Sequence, residues 1–327
     1  RNKEGLSIRG LSNSGASAQG QSNSVTTYYA EVPLPTGDSM GYGRYYDLDN
    51  AQVLQGPQGT LFGRNSTGGA LLIQPKRPTN NFEGYVQAQF GNYADEEFQA
   101  AVNVPIVKAK RALRVTAFTR RDPAYLDNIN ATAQGVDVNK NRVKGGRAVV
   151  LFQPTETISI DASAVRQRAK FFGSPSIRVC PSCGTGAFTQ PVDFTPFFGD
   201  LTLNIAPTKR DVSLDLYQAR ANVDLGFADL TAISAWNKVR SKSDLDQTNA
   251  FRFLLSPFSA TGGSVSLINA DRTKKFSQEI RLASKSDGAL EWLVGGFYTD
   301  EKISVDQTLI VHPTSGASTT AYNSVGP

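Results

Sequence analysis

From Phe82 onward the chain switches between two kinds of residue at every step, and a repeat of two is the signature of strands exposed on two different sides. Phe82, Gly84, Val86, Ala88 and Phe90 share one face, with Glu83, Gln87 and Gln89 on the other. Phe98, Ala100, Val102 and Val104 oppose Gln99 and Asn103, and Leu113, Val115 and Ala117 alternate with Arg114, Thr116 and Arg120. The spacing predicts about nine strands, near residues 82–91, 96–105, 111–121, 142–152, 157–168, 211–224, 229–240, 273–284 and 290–302. Alternation alone fits either a sandwich with polar faces toward water or a membrane-spanning barrel with a wet lumen.

The links between these strands separate the two. Tight turns near 106–110, 153–156, 225–228 and 285–289 alternate with long connections near 122–141, 169–210 and 241–272. Connections of that length are uncommon in compact domains, and strict alternation of short and long is the asymmetry of outer-membrane barrels, whose turns are short on one side only. The link at 91–95 is brief but keeps the parity. No apolar run approaches the ~20 residues that a membrane helix requires. The overall content, 39% hydrophobic and 19% charged, is that of a folded protein.

Ahead of the strands lies VLQGPQGTLFGRNSTGGALLIQPKRP, residues 53–78, in which Gly56, Gly59, Gly63, Gly68 and Gly69 crowd between two short apolar strands. Such density lets backbone pass close to backbone. This run resembles the end of the plug domain of TonB-dependent outer-membrane receptors, and FEGYVQAQFGNY after it is similar to the first barrel strand of that family. The resemblance implies a mostly β chain: the C-terminal part of a small mixed α/β plug over 1–79, lying in the lumen of a transmembrane antiparallel β-barrel whose N-terminal part is 80–327. About nine strands cannot close the ~22-stranded barrel that holds a plug, so the barrel is incomplete. Both ends of the chain read as truncated, with the polar run 311–327 as an unfinished loop.

Within the plug the sequence predicts strands at 4–10, 25–34 and 51–54, and a short helical turn capped by Asp47 to Asn50. Ile8-Arg9-Gly10 resembles a family motif whose arginine pairs with glutamates of the barrel wall, and Glu279, turned inward beside Ile280 and Leu282, is the candidate partner of Arg9. Gly56, Pro57, Gly59, Gly63, Arg64, Gly68 and Gly69 complete the plug motif, while Gln55 stands where the family wording has a second arginine. Family ligands meet the plug at its apical loops, which points to Tyr42, Arg44, Tyr45 and Tyr46, with Gln21 adding hydrogen bonds. Tyrosine offers a rigid ring with a polar tip, and arginine suits carboxylate or phosphate. The alternative for these side chains is packing against the wall.

Other chemistry finds little support. One histidine, His312, and no Ser-His-Asp set argue against an enzyme. Arg64-Asn65 after Gly63 lacks the Lys-Ser/Thr of a phosphate loop. Cys180 and Cys183, the only cysteines, are too few for a zinc site and read as a loop disulfide; a thioredoxin-like pair lacks its βαβ context. The net charge of +5 is spread without a basic stripe, so no nucleic-acid partner is expected, and no cofactor or metal is implied. The function the resemblance implies is energised uptake of a bulky nutrient such as a ferric siderophore across the Gram-negative outer membrane. Its partners would be outer-membrane lipid and the inner-membrane TonB complex, gripped through a segment before Arg1. A passive porin and a soluble secreted carbohydrate-binding β-protein are the alternatives.

Overall fold

The computed structural model describes residues 7–9, 11–12, 24–35, 45–58, 66–123, 140–173, 208–248, 251, 263–285, 290–312 and 319–326. Three sheets account for the strands. A two-residue hairpin, β1 (Ser7–Ile8) with β2 (Leu11–Ser12), comes first. A four-stranded mixed sheet follows in the order β4-β3-β6-β5, from β3 (Val25–Tyr29), β4 (Val32–Pro33), β5 (Leu48–Gln55) and β6 (Gly69–Pro75). β3 runs parallel to β6, and the other two pairings are antiparallel.

The third is a ten-stranded antiparallel meander in sequence order. It comprises β7 (Glu83–Phe90), β8 (Glu96–Val107), β9 (Arg111–Asp122), β10 (Asn141–Phe152) and β11 (Ile158–Phe172). It continues with β12 (Lys209–Asp224), β13 (Ala228–Asp246), β14 (Ser264–Ser284), β15 (Leu293–His312) and β16 (Thr319–Gly326). Links at 108–110, 153–157, 225–227 and 285–292 lie at one end of this sheet, and 123–140, 173–208 and 247–263 at the other.

The structure corrects the sequence reading in four places. First, residues 47–50 form no helical turn: β5 begins at Leu48 and pairs with β6 from Pro75 to Gly69. The Asp47 carboxylate, expected to cap free amides, instead accepts hydrogen bonds from side chains of the long sheet. Among the described residues the sole helical segment is the 3₁₀ turn Asn92–Ala94, so the α part of the expected α/β plug is absent there. Second, 25–34 is a hairpin, because Ala30 and Glu31 both adopt left-handed φ (50° and 69°) and reverse the chain. Third, β13, β14 and β15 reach well beyond the predicted 229–240, 273–284 and 290–302, since the ladder continues through mostly polar side chains at the end of β13 and through a small apolar cluster of Val265, Leu309 and Val311 on β14 and β15. Fourth, the polar run taken as a loop contains β16, a tenth strand paired with β15 from Val305 to Val311.

The small sheet packs on one face of the long sheet, called here the inner face. Tyr29, Val32, Leu34 and Ile73 form a buried cluster with Val165, Leu216, Ile233 and Ala235. Within the small sheet Gly69 lets β6 lie close to β5: at φ +140° a Cβ there would meet the Leu54 carbonyl oxygen at 2.2 Å. Burial alternates along much of β11 to β14, with the opposite face exposing Ile160, Tyr217, Trp236, Phe276 and Ile280. That is the inverse of a soluble sheet, where the apolar set would be covered.

Candidate functional site

The contact between the two sheets is held by charges of a definite polarity. Asp47, on the loop entering β5, is fully buried and accepts from Arg114 Nε at 2.6 Å and Arg114 Nη2 at 2.5 Å, with the Thr116 hydroxyl donating at 2.9 Å. Arg114 also reaches Glu83 at 3.0 Å. This is a two-pronged guanidinium–carboxylate pair out of water, where directional bonds offset the cost of stripping hydration from both ions. Asp47 sits at φ 56°, a left-handed conformation that aspartate tolerates better than most residues. The strain is stored where the carboxylate must enter the long sheet.

A second anchor repeats the design. Glu31 forms ion pairs with both Arg220 on β12 and Arg281 on β14. Its place at the tip of a two-residue turn with two left-handed residues is unusual, because such turns favour Asn-Gly. The turn is clamped by Ala30 N donating to Ile73 O at 2.9 Å and by Gln218 Nε2 donating to Ala30 O at 2.9 Å. Opposite polarity appears at Arg77, after β6, which pairs with Asp161 on β11. Arg147 Nη1 donates to Lys76 O at 2.7 Å. Arg114, Asp161, Arg220 and Arg281 all lie within a few residues of the short-link ends of their strands, so the anchors form a band at that end.

Farther along the inner face the contacts turn aromatic. Tyr45 stacks on Tyr29 with ring centroids 5.7 Å apart, and Tyr46 lies 4.1 Å from Phe118. Burial raises the pKa of the Tyr45 and Tyr29 hydroxyls, and lifts Tyr28 to about 12. Phe118 has its space because residue 145, opposite it in register, is glycine; a Cβ there would lie 2.8 Å from the Phe118 ring. One inward row nearer the short links than Phe118, beside Val165 and Leu216 in register, Lys275 donates to Leu34 O at 3.4 Å and pairs with Glu301 at 3.6 Å, both nearly buried. Beside them in register, Asn237 is fully buried with no hydrogen-bond partner for its amide among the described residues.

Of the residues expected from sequence, Tyr42, Arg44, Gln21, Gly10, Gly59, Gly63, Arg64, Cys180 and Cys183 lie outside the described residues. Tyr45 and Tyr46 pack against the sheets as above. Gly56 N donates to Gly68 O at 3.3 Å, joining the two ends of the glycine-rich run, and Pro57 follows at the exit of β5. The Arg9 side chain is exposed, and among the described contacts no ion pair joins it to Glu279. Glu279 does face inward, but its nearby cation is Arg281, two residues along the same strand at 3.1 Å. The anchors at Asp47 and Glu31 have the polarity opposite to the expected one, carboxylates on the small-sheet side and arginines on the wall. Their signal was available: arginines at inward positions of alternating strands, Arg114 among them, each requiring a carboxylate. No cluster of metal ligands occurs among the described residues, and no helix there is long and apolar enough to cross a membrane.

Comparison with known proteins gives this arrangement a setting. No protein-family model matches the chain. The ferric yersiniabactin uptake receptor of Yersinia pestis superposes with a TM-score of 0.70 over 93% of this chain and 43% of its own, at 18% identity. The open form of the ferric-catecholate import receptor of E. coli K12 does so at 0.59 over 92% and 45%, at 16% identity. In sequence, the pesticin receptor of Yersinia enterocolitica is 26% identical over 153 residues, 46% of this chain and 21% of that protein. The chain thus spans less than half the length of each of these three receptors. At these identities the likeness shows the fold alone: the described residues follow the fold of the matching parts of these two receptors.

Proposed function

We propose that the chain is part of a TonB-dependent receptor of a Gram-negative outer membrane: the end of a plug over 1–79 and the first part of a barrel over 80–327. In this reading the long sheet is the barrel wall, its exposed apolar face meets lipid, and the small sheet lies in the lumen. A bulky nutrient, with a ferric siderophore as the first candidate, binds on the long-link side. An inner-membrane TonB complex then pulls on the plug to open a path. The observation that carries the reading is the inward band of ion pairs, because a sheet with an apolar outer face and buried charges inside is inverted relative to a soluble protein.

The mechanism follows from where the charges lie. Glu31 bridges two wall strands, Asp47 is held by one arginine and one hydroxyl, and between these anchors the small sheet buries Tyr29, Val32, Leu34 and Ile73 against Val165, Leu216, Ile233 and Ala235 of the wall. Each point breaks without loss of the wall ladder, which is hydrogen-bonded strand to strand. Movement of the plug therefore costs the anchors and the apolar contact beside them and leaves the barrel intact. Tyr42, Arg44, Tyr45, Tyr46 and Gln21 remain the proposed ligand contacts at the plug apex, with Lys275 and Asn237 as polar groups on the adjoining wall.

The test is a tether. Ala30→Cys with Gln218→Cys in the full-length receptor joins plug to wall across a native hydrogen bond. Uptake of radiolabelled ferric siderophore should stop on oxidation, recover on reduction, and require the proton gradient. Uptake indifferent to the gradient would point to a porin, and uptake unaffected by a formed tether would end the moving-plug account.

A further inference from the structure

The link from β6 to β7, residues 76–82, contains no helix or strand, yet the wall grips its backbone closely. Asn103, on the inner face of β8, is fully buried and directs its whole amide at this link. Its Oδ1 accepts from Thr79 N at 3.0 Å, and its Nδ2 reaches Thr79 O at 3.0 Å, Thr79 Oγ1 at 3.1 Å and Asn81 O at 2.6 Å. Arg147 on β10 donates to Lys76 O at 2.7 Å, and Asp161 on β11 pairs with Arg77. Pro78, between these contacts, is buried, and its ring fixes φ and biases Arg77 toward extended backbone.

The position of Asn103 gives this grip a mechanical meaning. In register it lies opposite Glu83, the first residue of β7, on one side and opposite Arg114, which holds Asp47 and Glu83, on the other. A pull on the small sheet reaches the wall through residues 76–82, and the first wall pair it loads is Glu83 with Asn103. Peeling β7 from β8 would begin there. One side chain that satisfies both the N–H and the C=O of Thr79 does what a neighbouring strand does, and these bonds must break together. Withdrawing the link strips a fully buried amide of its partners, which costs more than the bonds return when they form.

We propose that Asn103, with Arg147 and Asp161, is a clamp on the C-terminal exit of the plug: a pull from the plug's N-terminal side draws chain out only as far as Lys76, and residues 76–81 stay seated as the pivot. Asn103 is a positioning residue in this account, since it touches the link and no cargo. The clamp lets the plug give way while β7 keeps its place in the wall. The inference rests on the plug-and-barrel reading above.

Single-molecule force measurements test it on the full-length receptor in lipid, pulled from its N terminus. The native protein should show a last barrier once the chain ahead of Lys76 is drawn out and before any wall strand peels. Failure of that barrier should release about 20 Å more, the extended length of residues 76–81 at ~3.3–3.6 Å per residue. Asn103→Ala should shorten its lifetime at fixed force by about tenfold, as loss of one or two hydrogen bonds implies, and leave the earlier barriers as they were; a merely looser fold would shift those as well. Thr79→Cys/Asn103→Cys should hold at residue 79 when oxidised, at forces that free the native link, and should match Asn103→Ala when reduced. Heat-modifiable migration reports the barrel separately, so its absence in the native protein would sink the receptor reading and the clamp with it. Where the barrel is intact, native extension that runs into β7 without a barrier, or a folded Asn103→Ala with an unchanged one, would overturn the clamp alone.

Discussion

The two faces of the long sheet use the same residue types to opposite ends. Inside, cations are answered within the chain: Arg114 by Asp47 and Glu83, Arg220 by Glu31, Arg281 by Glu31 and Glu279, and Lys275 by Glu301. Outside, one side chain away on the same strands, Lys238 faces Lys274 and Arg240 faces Arg272. An enclosed charge must carry its counterion with it, since an unmatched one loses hydration with nothing in return. A charge at the boundary with a solvent can leave that task to the solvent. The difference teaches that the inner face meets its charges with partners from the small sheet and the wall, whereas on the outer face Lys144, Arg168, Arg240 and Arg272 have no ion pair among the described residues.

The largest effect that sharpens this contrast should come from the most enclosed pair. Arg114→Ala leaves Asp47 buried and uncompensated, and we predict a loss of about 3–5 kcal/mol in small-sheet docking, read as proteolytic release of residues 45–58 while the barrel stays heat-modifiable. A loss no larger than that of Arg240→Ala on the outer face would erase the distinction. Next is Glu31. Glu31→Gln and Arg220→Gln should each cost about 1.5–3 kcal/mol, and the double variant should cost less than their sum; strict additivity would mean that the pair contributes nothing by itself.

Gly145→Ala probes the aromatic part of the inner face. Its Cβ would lie 2.6 Å from Arg166 O and 2.8 Å from Phe118, so the ring must move off Tyr46. Overpacking of this kind costs about 1–3 kcal/mol, visible as a lower melting temperature; an unchanged one would show that the stack has slack. The smallest effect belongs to the short-link turn. Lys285 donates to Asp224 at 2.5 Å and Asp229 at 3.1 Å, and these bonds raise its pKa. A raised folded value means the contact is fully present below the usual lysine pKa of about 10.4 and is lost as pH climbs through the folded one. Hydrogen exchange around 284–293 should therefore quicken beyond its intrinsic pH dependence above that value in the native protein and not in Lys285→Gln.

How much of this was legible beforehand depends on which force writes the signal. Apolar alternation announced β7 to β12 because burial against lipid or core selects side chains at every second position. It fades after Arg240 and before Thr273, so residues 241–246 of β13 and 264–272 of β14, where the backbone ladder continues without a clear period of two, fall in the expected long link. The glycine-rich run carried the family resemblance in its wording, and the parallel β3–β6 pairing was not visible in it, since no local period encodes which strand lies beside which. Arg114 and Glu31 are ordinary charges in sequence. Only the register that brings Asp47 under β9, and the left-handed turn that lifts Glu31 between β12 and β14, makes them anchors.

The central claim is that outer and inner sets interleave residue by residue on a membrane wall. Spin labels placed singly at positions 276 to 282 of β14 in the full-length receptor, reconstituted in lipid, test it by relative relaxation from lipid-soluble oxygen and a water-soluble nickel chelate. The account predicts a period of two, with oxygen dominant at Phe276, Gln278, Ile280 and Leu282 and low at Ser277, Glu279 and Arg281. A flat profile, or one in which the even positions favour nickel, would contradict it.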